Sequence, residues 1–104
     1  MKREVLLKTI KMAIQEVEPD AQVILYGSQS RENATPESDW DFLVLVDGPI
    51  NDDRIDRIRH RLYEIEWDTG EVISSIIRNH KDWYRPPYSS TPFHDHVIED
   101  GITL

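Results

Sequence analysis

The chain has 104 residues and a formal net charge of −8, from 20 acidic and 12 basic side chains. A chain of this length predicts one compact domain, residues 1–104, with a single modest core. An acidic surface would repel a phosphate backbone, so we expect no general nucleic-acid binding. The absence of cysteine excludes disulfides and thiolate metal sites.

The N-terminal residues, Met1 to Glu4, lead into an amphipathic pattern that includes Lys8 and Lys11. We therefore expect neither a signal peptide nor a membrane span. A chain without cysteine also suits a reducing compartment, and we expect a cytoplasmic protein. A homo-oligomer is compatible with the sequence.

Apolar periodicity and turn residues divide the chain into predicted elements. In chain order these are a helix over 3–17, a strand over 22–26, a helical turn over 28–31, a strand over 39–46, a helix from Asn51–Asp53 to Asp68, a strand over 71–77, a turn of helix over 80–84 and a short helix over 93–100. Three strands and two long helices predict an α+β fold, in which helices pack on a small mixed β-sheet.

Two aspartates open the second strand. Side chains at i and i+2 of a strand project to the same face, so Asp39 and Asp41 should point one way and Trp40 the other. Two carboxylates this close repel each other unless a cation lies between them. Hard oxygen ligands of this kind suit Mg²⁺ or Mn²⁺. The pair therefore predicts a metal site.

A Gly-Ser dipeptide ends the first strand, and ten residues separate Ser28 from Asp39. Gly27 lets the backbone approach a phosphate closely. Free N–H groups at a helical turn and the Ser28 hydroxyl would favour an anion there, and Arg31 lies within reach of a phosphate or a neighbouring carboxylate.

Each half of this pattern is common alone, since Asp-x-Asp often marks a solvated strand edge and Gly-Ser an ordinary turn. We interpret the combination as functional. The sequence from Gly27-Ser28 to Asp39-Trp40-Asp41 resembles the nucleotidyltransferase superfamily that shares the DNA polymerase β fold. The short length and helix-first order resemble its minimal, antitoxin-type members.

The resemblance implies transfer of a nucleotidyl group, with ATP as donor and Asp39 and Asp41 holding Mg²⁺ or Mn²⁺. It assigns Gly27, Ser28 and Arg31 to the nucleotide. An acceptor hydroxyl would attack the α-phosphorus and release pyrophosphate. Minimal members pair with a HEPN-type toxin, and some attach AMP to a tyrosine of that partner, so the resemblance also implies a toxin–antitoxin pair.

The third carboxylate of the family is the main departure. The matching strand has one acid, Glu71, at its start, and the expected position could instead fall on Val72. Glu71 is accordingly a candidate catalytic residue, with a solvated strand-start residue as the equal alternative. If Glu71 does not serve, one rival is a degenerate domain that only binds nucleotide or a toxin partner. A second rival is a structural subunit with a fortuitous Asp-x-Asp.

Outside the motif, His94 and His96 have the spacing of a metal pair but are more typical of surface residues. The aromatic residues of the C-terminal segment are expected to pack across the sheet, with a partner-docking surface as the alternative. These are Trp83, Tyr84, Tyr88 and Phe93.

Overall fold

A computed structural model describes residues 2–31 and 38–104. The elements in chain order are helix α1 (Arg3–Val17), strand β1 (Gln22–Tyr26), a 3-10 turn (Ser28–Ser30), strand β2 (Trp40–Val46), helix α2 (Asp52–Thr69), strand β3 (Ile73–Asn79), helix α3 (His80–Trp83), a 3-10 turn (Tyr88–Ser90), helix α4 (Pro92–Asp100) and strand β4 (Ile102–Thr103). The polar loop predicted around Asn33, Thr35 and Pro36 lies mostly outside the described residues.

The strands form one four-stranded sheet in the order β3-β2-β1-β4. Strand β1 is antiparallel to both β2 and β4, whereas β2 and β3 are parallel. Helix α2 provides the crossover that a parallel pair requires. The predicted α+β fold with a small mixed sheet is confirmed.

Helices α1 and α2 cover one face of the sheet, which we call the helix face. Their apolar stripes meet alternate residues of the strands in a continuous core. Its most deeply buried members include Leu6, Ile10, Phe42, Val44, Ile58 and Leu62. This layer explains why the periodicity of residues 3–17 predicted a helix with the observed bounds.

The opposite face, here called the motif face, carries a smaller core. Trp83 of α3 and Val97 of α4 pack against Ile24, Leu43 and Leu45. Thr91 caps α4, because its side chain accepts a hydrogen bond from the His94 N–H. The predicted packing of the aromatic segment therefore holds for Trp83 and Phe93, whereas Tyr84 and Tyr88 are exposed.

Side chains cover the outer edge of β3, one of the two terminal strands of the sheet. The Ile73 N–H donates to the Glu66 carboxylate at 2.8 Å, and the carbonyls of Ser75 and Ile77 accept from arginine side chains. Contacts of this kind block the pairing of another strand at the edge.

Three predictions about strands were inaccurate. The second strand begins at Trp40 rather than at residue 39, so Asp39 lies just before it. The third strand runs over Ile73–Asn79 rather than 71–77. Glu71 belongs to the connection after α2, where its N–H donates to the Thr69 hydroxyl. Strand β4 was not predicted, because two exposed residues carry no alternating pattern that a sequence could show.

Within residues 2–31 and 38–104, no helix combines the length and apolar character needed to span a membrane.

Candidate active site

Strand pairing brings the two halves of the motif together. Because β1 and β2 are antiparallel, Tyr26 at the end of β1 pairs with Asp41 near the start of β2. The turn that follows Tyr26 therefore lies beside the aspartate pair. The sequence predicted that the Gly-Ser turn and the Asp-x-Asp motif each lie at a strand end. The antiparallel register of β1 and β2 is what brings these two motifs next to each other.

Gly27 fits this position for two reasons. Its φ of 74° and ψ of −159° lie in a region that is essentially restricted to glycine. A Cβ built on Gly27 would also overlap the Asp41 carboxylate. The backbone of the turn thus touches the carboxylate, and any side chain at residue 27 would push the two apart.

The turn after Gly27 is closed by local hydrogen bonds. The Ser30 N–H and hydroxyl both donate to the Gly27 carbonyl, at 3.1 and 2.7 Å. Gln29 is buried, and its side-chain amide donates to the Ser38 carbonyl at 3.0 Å. Gln29 therefore ties the turn to the residue that precedes Asp39. Sequence reasoning missed it, since a glutamine in a polar turn gives no signal of burial.

The aspartate pair has the electrostatics expected of neighbouring carboxylates. Asp39 is exposed and Asp41 is half-buried, whereas Trp40 is buried on the helix face. Burial raises the pKa of Asp41 above its usual value, and the nearby charge of Asp39 raises it further. A cation between the two would relieve both effects.

The donor set fits a hard divalent cation only in part. Within the described residues, no group of three or more histidine, aspartate or glutamate side chains is placed so that it could hold one metal ion. Asp39 and Asp41 are thus the two protein carboxylates offered by the motif. Mg²⁺ commonly accepts one or two carboxylates and completes its shell with water and substrate phosphate. This pair is compatible with that mode.

Tyr26 extends the site on the motif face. Burial, followed by the charge of Asp41, raises the pKa of Tyr26 to about 12, so its hydroxyl remains protonated. Its ring packs edge-on against Phe93 at 5.2 Å. Tyr26 therefore connects the aspartate pair to helix α4, a link that sequence reasoning did not predict.

A cleft of about 340 Å³ lies between the Gly27 turn and α4. Its lining includes Tyr26, Gly27, Arg31, Phe93, His96 and Asp100. Arg31 is half-exposed, and its Nη1 lies 3.5 Å from Asp100 Oδ2. The predicted phosphate-binding arginine thus borders the cleft and is paired with a carboxylate.

The Glu71 carboxylate contacts the side chain of Trp40. The Trp40 indole N–H donates to Glu71 Oε2 at 2.9 Å, and Trp40 belongs to the core of the helix face. The β3 residue in register with Asp41 is Ser74, which is exposed. The catalytic role of Glu71 stays a prediction, and its contact with Trp40 favours a structural role.

The two histidines of α4 have different environments. The His94 ring packs 4.6 Å from Trp83, and neither of its buried ring nitrogens has a partner within the described part of the chain. His96 is exposed and borders the cleft.

Comparison with known families agrees with this geometry. A family model described as a nucleotidyltransferase domain matches residues 7–97, which include both the Gly27-Ser28 turn and the Asp39-Asp41 pair. The chain therefore belongs to the nucleotidyltransferase domain family, and the resemblance drawn from the motif is confirmed. No curated protein matches the chain.

Proposed function

We propose that this domain transfers a nucleotidyl group from a nucleoside triphosphate, ATP on family grounds, to a hydroxyl group in a reaction that depends on Mg²⁺ or Mn²⁺. The observation that carries the proposal is the contact between the Gly27 backbone and the Asp41 carboxylate. It joins a turn suited to phosphate and a carboxylate suited to a cation at one point of the motif face.

Each motif residue has a role in the proposed reaction. Gly27 and Ser28 present backbone and hydroxyl donors to the triphosphate, and Arg31 contributes a positive charge. Asp39 and Asp41 hold the cation, whose contribution when bound is to neutralise charge on the phosphates and lower the pKa of a coordinated oxygen. The acceptor oxygen forms a bond to the α-phosphorus, and the bond between the α-phosphorus and the oxygen that bridges to the β-phosphorus breaks. Pyrophosphate leaves, and the hydroxyl proton passes to solvent.

The acceptor is proposed to belong to a partner protein. Asp39, just before β2, and Ser74, in register with Asp41, are both exposed, so a hydroxyl of another molecule can approach Asp39 from solvent. A HEPN-type toxin is the partner that the resemblance suggests.

A second candidate function is binding without transfer, as an antitoxin-like module. The hydrogen bond from Trp40 to Glu71 favours this function, because it engages the carboxylate that was expected to complete the catalytic site. With Ser74 beside Asp41, such a site would still hold nucleotide through the Gly27 turn but would bind metal weakly.

A thermal-shift titration distinguishes these functions. Mg²⁺ with ATP should raise the Tm more than either ligand alone, and Asp39→Asn should abolish the additional rise. Stabilisation by ATP that is indifferent to magnesium would favour the binding module. Absence of any response would reject both functions.

Transfer itself requires a covalent readout. Mass spectrometry of the protein encoded beside this one, co-expressed with the intact domain, should show the mass of one added nucleotidyl group, and Asp41→Asn should abolish it.

Ser74→Asp provides a matched gain-of-function variant, since it adds a third carboxylate in register with Asp41. If the site lacks only that group, Ser74→Asp should strengthen Mg²⁺-dependent stabilisation.

A further inference from the structure

The outer surface of the helix layer exposes several large apolar side chains. Trp67 is 90% exposed, Tyr63 58% and Met12 56%. Tyr63 and Trp67 are four residues apart on α2 and share one side of the helix, whereas Leu62 and Ile65 face the core. A tryptophan in this position contributes nothing to the buried core of its own chain.

Two hollows lie on this surface, and carboxylates separate them. Tyr63 and Trp67 border one hollow of about 420 Å³. Met12 borders the other, of about 310 Å³, in the groove between α1 and α2. Glu64 and Asp68 line both hollows and form the ridge between them. We call these five residues the ridge surface.

The charges around the ridge surface are predominantly negative. The linings of the two hollows contain the carboxylates of Glu16, Glu64 and Asp68, the guanidinium of Arg61, and the imidazole of His60, whose Nε2 lies 3.4 Å from Glu64 Oε1. Arg61 is already engaged, at 2.7 Å from Glu16 and 3.2 Å from Glu64. Its charge is therefore shared between two acids, and Asp68 adds a further negative charge in a chain of net charge −8.

We infer that the ridge surface binds a basic amphipathic segment of a partner protein. Apolar side chains of the partner would occupy the two hollows, and its lysine or arginine side chains would contact Glu64 and Asp68. Trp67 and Tyr63 would also attract such cations over their ring faces. Exposed aromatic residues beside charges of one sign favour a partner of the opposite charge and are typical interface anchors.

This inference is independent of the proposed transfer reaction. Helices α1 and α2 cover the helix face, whereas Asp41 alternates with Phe42 along β2 and lies on the opposite face. A partner held on the ridge surface would leave the Gly27 turn accessible. The surface can therefore bind a partner whether or not the domain is catalytically active.

Tryptophan fluorescence gives a direct test. Trp40 and Trp83 are buried, so Trp67 is the tryptophan that solvent quenchers reach. The probe is a synthetic amphipathic helix of leucine and lysine, compared with leucine–glutamate and leucine–glutamine helices of equal length. The lysine helix should shift Trp67 emission to the blue and protect it from acrylamide. Binding of the glutamate helix with equal affinity would overturn the charge argument, and absence of any shift would overturn the inference.

Variants separate the ridge surface from general electrostatics. Calorimetry measures the affinity for the leucine–lysine helix. Trp67→Ala should weaken that affinity at least about tenfold, as expected for an anchor residue. Glu64→Gln with Asp68→Asn should also weaken it, whereas Asp95→Asn with Glu99→Gln, the matched charge change on α4, should leave it unchanged. Equal losses in both pairs would contradict a specific surface. Sedimentation that shows a dimer of this chain lost in Trp67→Ala would assign the surface to a second copy and overturn the inference.

Discussion

The two faces of the sheet use the same strands for different purposes. Along β2, Phe42, Val44 and Val46 point into the helix face, where α1 and α2 bury them. The alternate residues, Asp41, Leu43 and Leu45, point into the motif face, where α3 and α4 bury the two leucines but leave Asp41 only half-buried. The site therefore lies where the second layer of helices ends.

This difference shows how a small chain obtains both a core and a site. One face is covered along the whole of β2 and supplies most of the apolar burial that stabilises the domain. The other face is covered over only part of its length. An ionisable pair can remain at the uncovered end because water can solvate it there, whereas the helix face has no such access.

The largest expected effect is on the helix face. Phe42→Ala removes a fully buried ring and should lower the free energy of unfolding by about 3–5 kcal/mol. Ser74→Ala is the control on the motif face, where an exposed hydroxyl lies beside Asp41, and it should change stability by no more than about 0.5 kcal/mol. Urea denaturation measures both. Similar losses in the two variants would contradict the division between the faces.

The next effect is at the junction of the turn with the aspartate pair. Gly27→Ala should lower stability by about 1–3 kcal/mol, because alanine strains the backbone there, and should displace Asp41 and weaken Mg²⁺-dependent nucleotide binding. Gly70→Ala is the control, since Gly70 also has a φ of 74° but nothing lies within 4 Å of an added Cβ. It should cost about 1–2 kcal/mol and leave nucleotide binding unchanged.

A double variant separates strain from contact. If overlap with the carboxylate matters, Gly27→Ala should be less destabilising in an Asp41→Ala background than in the native chain. Identical losses in the two backgrounds would mean that backbone strain alone explains the glycine.

The same two faces explain what the sequence could predict. Helix α1 and strand β1 have the predicted bounds because their apolar periods are regular and end at Pro19 and Gly27. Strand β2 was predicted to within one residue, because an apolar run along a strand is a local property. Contacts between distant side chains have no such signature. Neither the hydrogen bond from Gln29 to the Ser38 carbonyl nor the one from Trp40 to Glu71 could be predicted from spacing along the chain.

The third prediction concerns the pH dependence of stability. The pKa of Asp41 is raised in the folded state, so protonation of its carboxyl stabilises the folded protein. This contribution to stability is fully present below the usual pKa of 3.8 and is lost as the pH rises through the folded-state pKa. At neutral pH the ionised carboxylate is therefore destabilising. Asp41→Asn should have a higher Tm than the native chain at neutral pH, and the difference should shrink in acid.

Mg²⁺ should reverse the order of these two proteins. It should stabilise the native chain and leave Asp41→Asn unaffected, because the asparagine offers no charge to a cation. Asp20→Asn, an exposed site outside the motif, controls for the loss of one negative charge. A Tm advantage for Asp20→Asn as large as that for Asp41→Asn would mean that net charge, rather than burial beside Asp39, sets the effect.

The smallest effect concerns Arg31, whose partner Asp100 competes with any phosphate for the guanidinium. The two side chains are 50% and 32% exposed, so the pair contributes at most about 1 kcal/mol. Asp100→Asn should therefore tighten nucleotide binding by no more than about fivefold, since that energy corresponds to such a ratio.

Isothermal titration with ATP and Mg²⁺ measures the change, with Asp95→Asn on the same helix as the charge control. The gain must disappear in an Arg31→Ala background. If it persists there, Asp100 acts through the general field of the motif face, and the arginine would have to be reassigned from the nucleotide to the attachment of α4.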